Sequence, residues 1–409
     1  MTKLGQELKE EIMKAVDLSR ELSDEELLDM IDHTLQLRGK ERYLGIKERL
    51  RLRREIFNSI RRLDILQELV EDAEITEIMI NGASRIFIEK AGRIEEWDRQ
   101  FESERKLFDI IQQIVSGANR VINETNPIVD ARLYDGSRVN IVLPPVSLTG
   151  PVVTIRKFPK KPMTMEKLIS YGSISGEAAE FLKELVEAGY NIFISGGTGA
   201  GKTTFLNALS GYIPSNERVI TIEDSAELQL VSIPNLVRLE VRNANVEGKN
   251  AVTIRDLIKS SLRMRPDRII VGEVRDDAAI DMLQGLNTGH SGLSTGHANS
   301  AGDMLSRLET MVLLGADIPA LAVRRQIASA IDLIVHLGRL RDRTRRVLEI
   351  TEVLDCVDGE IEMNPLFVFR EEGETDGRII GSLKRTRGSL IHVNKLLRAK
   401  GTGGMREET

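Results

Sequence analysis

Apolar positions in the first sixty residues recur at helical spacing inside a heavily charged background. Ser23 with Glu26 makes a capping box, and Leu27, Leu28, Ile31 and Leu35 follow on one helix face. A second run predicts a helix with Leu50, Ile56, Phe57, Ile60 and Leu63 along its apolar side. Its other side holds Lys47, Arg49, Arg51, Arg53 and Arg54. That basic side reads as a solvated face, with contact to a membrane-associated partner or anionic lipid as the sharper alternative. From Ile75 the period shortens. Residues 78–80, 85–89 and 93–96 read as strands broken at Asn81-Gly82 and Ala91-Gly92. Ser103 then caps an amphipathic helix with the stripe Leu107, Ile110, Ile111, Ile114 and Val115, and Gly117 suits its C-cap. Strand-like segments return at 128–133, 138–143 and 152–158, an α+β pattern that ends at the Pro- and Lys-rich stretch 159–162.

Beyond that stretch strands alternate with helices, which argues for a mostly parallel α/β sheet. Residues 191–195 and 268–271 are short runs with apolar cores, as in strands buried on both faces. Helices are expected at 254–262 and 304–314, the latter capped by Ser300 and stopped by Gly315. The organisation expected is a charged helical extension (1–62), an α+β domain (63–158), a linker (159–175), an α/β domain (176–399) and a flexible tail (400–409). A chain of 409 residues fits two or three domains.

Composition narrows the function classes. With 57 Lys and Arg against 63 Asp and Glu, the net charge of −6 supplies no whole-chain field for nucleic acid. Cys356, the only cysteine, excludes an internal disulfide and a multi-cysteine zinc site. The N-terminus has no apolar signal region. The best apolar stretch, 139–155, contains Pro144, Pro145 and Pro151 and is at the short limit for crossing a bilayer. A cytoplasmic protein is expected.

The strongest chemical signal is the run Gly196-Gly197-Thr198-Gly199-Ala200-Gly201-Lys202-Thr203, a full phosphate-loop pattern between a predicted strand and a helix-compatible run from Thr204. Glycines let backbone N–H groups curl around phosphates, Lys202 reaches the β- and γ-phosphates of ATP, and the Thr203 hydroxyl can ligate Mg²⁺. Two strand ends offer the acid such chemistry needs: 219–222 runs into Glu223-Asp224, and 269–271 into Gly272-Glu273. His290 and His297 lie in TGHSGLSTGHANS, where no cysteine or carboxylate cluster completes a metal shell. They read as γ-phosphate sensors or strand-end hydrogen-bonding groups. Arg132, Arg138 and Arg156, on strands of the preceding domain, read as guanidinium groups for the phosphate or as surface ion-pair partners. The five arginines among residues 339–346 read as decoration of an exposed β-turn.

The ordered set GGTGAGKTT, VITIEDSAELQL, LRMRPDRIIVGEVRD and TGHSGLSTGHANS resembles the type II/type IV secretion ATPase superfamily, including its phosphate loop, Asp box, glycine-containing Walker B and His box. ITEIMING, PNLVRLEVRNANVEG and RRQIASAIDLIVHLGRLRD look like the Tad/Flp pilus assembly ATPase, or CpaF, family. The resemblance runs from Leu63 to Phe369. It implies a RecA-like P-loop core behind a PAS-like, sensor-like N-terminal domain. It also implies a homo-hexameric ring that hydrolyses ATP with Mg²⁺ and drives an inner-membrane platform protein, with no direct nucleic-acid binding. Gly196 to Thr204 would hold nucleotide, Glu273 would act as base or water-orienting acid, and Glu223 would serve Mg²⁺ with Thr203. Those two acids are interchangeable at this level. His297 and His290 would sense the γ-phosphate, and Arg132, Arg138 and Arg156 would be arginine fingers or domain clamps. The chain departs from the pattern in lacking a four-cysteine zinc module, in Asp276-Asp277 after GEVR, and in Gly296 before His297. The traffic ATPase of a type IV secretion system, a nucleotide-gated scaffold without productive turnover and a small-molecule kinase are the competing readings.

Overall fold

The computed structural model describes residues 2–16, 20, 22–90, 92–118, 120–158, 162–242 and 250–401. Linker residues 159–161, the end of the 234–248 motif and tail residues 402–409 lie outside them. The chain forms two compact units, Met1–Lys160 and Lys161–Thr409.

The first unit begins with α1 (Lys3–Ala15), α2 (Asp24–Glu41) and α3 (Ile46–Arg61). The Ser23–Glu26 capping box is formed in both directions. Leu8, Ile12, Leu27, Ile31, Leu35, Leu52 and Ile56 make the small core of these helices. Leu50 was expected on the core face but stands 61% exposed, and Leu52 is buried in its place. Leucines occur on both sides of α3, so periodicity alone does not select the inner one.

There follow α4 (Leu66–Glu71), β1 (Ile75–Asn81), β2 (Ile86–Lys90), β3 (Arg93–Glu96), α5 (Glu104–Gly117), β4 (Ile128–Arg132), β5 (Arg138–Val142) and β6 (Val152–Arg156). They build a six-stranded antiparallel sheet in the order β3-β2-β1-β6-β5-β4. The expected α5 stripe lies in its core. Gly117 closes the helix and Ala118 is its C-cap. The two ends of the apolar stretch 139–155 are β5 and β6, paired with each other.

The second unit contains α6 (Met165–Ser170), α7 (Gly176–Glu187), β7 (Ile192–Gly196), α8 (Lys202–Ser210), β8 (Val219–Glu223), β9 (Leu236–Glu240), α9 (Ile254–Ser261), β10 (Arg268–Val271), α10 (Ala278–Asn287) and β11 (Ser291–Gly296). It continues with α11 (Ala301–Gly315), α12 (Ala320–Ala330), β12 (Leu333–Arg339), β13 (Arg345–Val357), β14 (Glu360–Thr375), β15 (Arg378–Arg385) and α13 (Asn394–Ala399). Nine strands run in the order β15-β14-β13-β12-β7-β11-β10-β8-β9. Pairing is parallel from β12 to β9 and antiparallel from β12 out to β15. The two faces of the parallel part are covered by separate apolar clusters, as a doubly covered sheet requires. This is a RecA-like α/β core.

Candidate functional site

In such a sheet the C-terminal ends of the parallel strands form the ligand edge. β7 delivers the phosphate loop there. Gly196 pairs with Leu337, and a Cβ on Gly196 would sit 2.5 Å from the Leu337 carbonyl oxygen. Gly199 (φ 71°) and Gly201 (φ 94°) take the left-handed conformation that favours glycine. Gly201 is the N-cap of α8, whose first turn is Lys202, Thr203 and Thr204. The first N–H groups of a helix have no partner within it, so the loop offers an anion site.

Lys202 is buried and its Nζ donates to the carbonyl oxygens of Gly196 and Gly197, each at 3.1 Å. It also lies 3.2 Å from His297 Nδ1. The other ring nitrogen, Nε2, is 3.2 Å from Glu273 Oε1, and Glu273 Oε2 accepts from Arg275 at 2.7 Å. With Nδ1 accepting from the ammonium, Nε2–H faces the carboxylate. Burial, then the Lys202 charge, depresses the His297 pKa, consistent with a neutral ring. Burial lowers Lys202 as well. For Glu273 the largest influence, burial, pushes upward, but it is outweighed by the Arg275 hydrogen bond and the charges of Arg275, His297 and Lys202, so the pKa falls below the usual range.

Glu223 is in another state. It is 3% exposed, and its Oε1 accepts the backbone N–H groups of Glu227 and Leu228 at 2.8 and 2.9 Å. Burial outweighs those bonds and pushes its pKa up to about 7. Its Oε2 is buried without a hydrogen-bond partner. A Cβ on Gly272 would lie 2.9 Å from Glu223 Cγ. The glycine of the Walker B segment therefore leaves the room that Glu223 fills.

His290 does not join this cluster. It precedes β11, with Nδ1 3.2 Å from the Gly285 carbonyl and 3.3 Å from Thr288 Oγ1. His297 follows the same strand, so the two histidines flank opposite ends of β11, roughly 20 Å apart at about 3.3 Å per residue. In the first unit, Arg132, Arg138 and Arg156 occupy one register row, Arg132 opposite Arg138 and Arg138 opposite Arg156. Like charges directly opposed across strands oppose pairing. Arg138 lies 3.7 Å from Asp130.

Three further residues escaped sequence reasoning. Arg307 on α11 lines a cleft of about 710 Å³ with Glu273, Arg275, Asp276, His297 and Met311. Its charge helps to depress Lys202 and His297. Arg345 belongs to the arginine-rich turn expected to be decoration, yet its Nε donates to the Gly199 carbonyl at 2.8 Å. His336 is buried with Nδ1 2.8 Å from Ser195 Oγ. The only local signal was the helical spacing that puts Arg307 on α11. His336 on β12 meets Ser195 at the end of β7 across 141 residues, and Arg345 at the start of β13 meets Gly199 across 146, pairings that no local pattern reveals. Asp277, the second residue after GEVR, accepts from Arg255 at 2.8 Å.

No group of three or more His, Cys, Asp or Glu among the described residues could hold a metal ion. Nucleotide-borne Mg²⁺ needs few protein ligands and keeps several waters. The Thr203 hydroxyl at the start of α8 and the unpartnered Glu223 Oε2 fit that requirement. No helix among the described residues is long and apolar enough to cross a membrane.

The type II/IV secretion system protein family matches residues 61–392. A putative conjugal transfer protein of Mycobacterium tuberculosis is 33% identical over 332 residues, covering 80% of this chain and 94% of its own length. The type IV secretion system protein VirB11 of Bartonella quintana is 31% identical, covering 71% of this chain and 91% of its own. The crystal structure of the pilus retraction motor PilT with bound ADP shares the fold at a TM-score of 0.51 and 18% identity, covering 83% of this chain and 86% of that one.

Proposed function

The chain belongs to the type II/IV secretion system protein family, and on that premise we propose that it is a Mg²⁺-dependent ATP hydrolase working as a homo-hexameric motor. In this reading it acts in the cytoplasm against the inner face of the cytoplasmic membrane and drives an inner-membrane platform protein to assemble a Tad/Flp-like pilus. The observation that carries the enzymatic part is the line of contacts from Lys202 through His297 to Glu273 beside a complete phosphate loop.

Gly196 to Thr204 would hold the polyphosphate through backbone N–H groups, and Lys202 would exchange its carbonyl contacts for the β- and γ-phosphates. Mg²⁺, held by the Thr203 hydroxyl and through water by Glu223, would neutralise charge on the phosphate oxygens. Glu273, ionised at neutral pH, would orient the attacking water and accept its proton, while His297 Nε2–H keeps the carboxylate aimed. The bond formed is from water oxygen to the γ-phosphorus, and the bond broken is to the β–γ bridging oxygen, leaving ADP and phosphate. Arg132, Arg138 and Arg156 would act as arginine fingers or domain clamps, and Arg307 would supply a cation from the core itself.

A second reading, the traffic ATPase of a type IV secretion or conjugation system, is favoured by the conjugal transfer and VirB11 relatives. The ITEIMING and RRQIASAIDLIVHLGRLRD segments and the helical extension favour the pilus branch. Pilin and prepilin-peptidase genes beside its own would support the pilus, and conjugation genes the alternative. The enzymatic reading is tested by Mg²⁺-ATPase rate against protein concentration with light-scattering mass, for wild type and Lys202→Ala. Turnover that rises as hexamers form and disappears in Lys202→Ala is the expected result. Robust hexamers that bind nucleotide without turnover would replace the motor with a scaffold.

A further inference from the structure

Charge along the N-terminal helices is lopsided. Residues 1–37 carry four Lys or Arg against ten Asp or Glu, whereas residues 38–62 carry ten against three. Within the basic half, several arginines fasten the fold: Arg53 to Asp32 at 2.8 Å, Arg54 to Glu71 at 2.5 Å and Arg51 to Glu55 at 3.5 Å. Lys40, Arg42 and Lys47, around the α2–α3 turn, are exposed and form no ion pair with a described residue. Glu48 is the exposed acid on the first turn of α3.

The same turn presents an apolar ridge. Tyr43, in the turn itself, and Ile46 and Leu50, one turn apart at the start of α3, are 90%, 80% and 61% exposed. Leu52 and Ile56, on the other side of α3, already meet the requirement for burial against α1 and α2. Ile46 and Leu50 thus form a second apolar strip on α3 that no described residue covers.

We propose that the α2–α3 turn is a contact for an anionic lipid surface. Tyr43, Ile46 and Leu50 would enter the headgroup region, and Lys40, Arg42 and Lys47 would meet lipid phosphates with their stems along the apolar boundary. Side chains this exposed need no matching pocket in a fluid bilayer, whereas a protein partner would have to supply one. Tyrosine with flanking cations is also the side-chain mixture that bilayer interfaces favour. The proposal deepens the membrane-apposed placement above, but it does not depend on nucleotide turnover.

The test is sedimentation of the full chain with vesicles of phosphatidylcholine alone and of phosphatidylcholine mixed with phosphatidylglycerol. Binding is expected only to the mixed vesicles. It should fall on the order of fivefold for each of Lys40→Gln, Arg42→Gln and Lys47→Gln. The triple variant Tyr43→Ser, Ile46→Ser, Leu50→Ser should lose vesicle binding while keeping the soluble ATPase rate and assembled mass. Lys202→Ala should bind vesicles as wild type does, so failure of the enzymatic reading and failure of this one are read separately. Equal binding to both vesicles, no binding to either, or binding indifferent to the glutamine variants would overturn it. Loss of assembled mass in the serine variant would instead assign the ridge to contact between copies. Should the serine variant not fold, the glutamine series decides alone.

Discussion

β8 and β10 lie side by side with Ile222 opposite Val271, and each brings a glutamate to the edge where the phosphate loop turns. The register puts Glu223 level with Gly272 and Glu273 one step further on. Successive residues of an extended chain face opposite ways, so that one step separates their environments. Glu223 fills the space left by Gly272, with its pKa pushed up to about 7. Glu273 faces His297 and Arg275, with its pKa held down. Two carboxylates of the same type are thereby made different acids, and only the second is fully ionised at neutral pH.

The largest expected effect tests that division directly. Glu273→Gln should cut ATP turnover on the order of 10²–10³-fold with nucleotide binding retained, and Glu223→Gln by only about tenfold. Steady-state rates with nucleotide titrations check this, and the reverse order would exchange the two roles. Gly272→Ala tests the space itself. Its methyl would press on Glu223, so unfolding should become easier by about 1–3 kcal/mol in urea titration. An unchanged midpoint would mean that Glu223 moves aside freely.

The next effect is pH dependence. The folded chain keeps a proton on Glu223 between its ordinary value of 4.5 and about 7, where the unfolded chain has released it. Stability is therefore lost as pH rises through that window. Glu223→Gln should remove on the order of 1–3 kcal/mol of this fall between pH 4.5 and 8. Parallel pH–stability curves for wild type and variant would contradict the raised pKa. The smallest effect concerns the histidines: His290→Ala should leave turnover within about twofold, while His297→Ala should lower it by about tenfold or more.

Those histidines show where sequence legibility ends. Thr288-Gly289-His290 and Thr295-Gly296-His297 are identical tripeptides at the two ends of β11, and nothing local says which end faces the phosphate. The phosphate loop itself was readable because its function is carried by contiguous residues. The strand-end glutamates were readable as candidates, but their different acidities depend on the β8–β10 register. Arg345 and His336 were opaque for a stronger reason: their contacts depend on β12 lying against β7. In the first unit the α5 stripe declared its inner face, whereas α3, with leucines on both sides, did not.

That position of β7 also bears on how the chain is made. Its neighbours are β11 and β12, so the apolar strand before the phosphate loop emerges from a ribosome long before either flank exists. Until β11 and β12 have been synthesised, both edges of β7 are open to wrong pairing, a hazard for chaperones to manage. A chain cut short before Leu333 would carry the entire GGTGAGKTT sequence and still lack the Leu337 wall against which Gly196 is shaped.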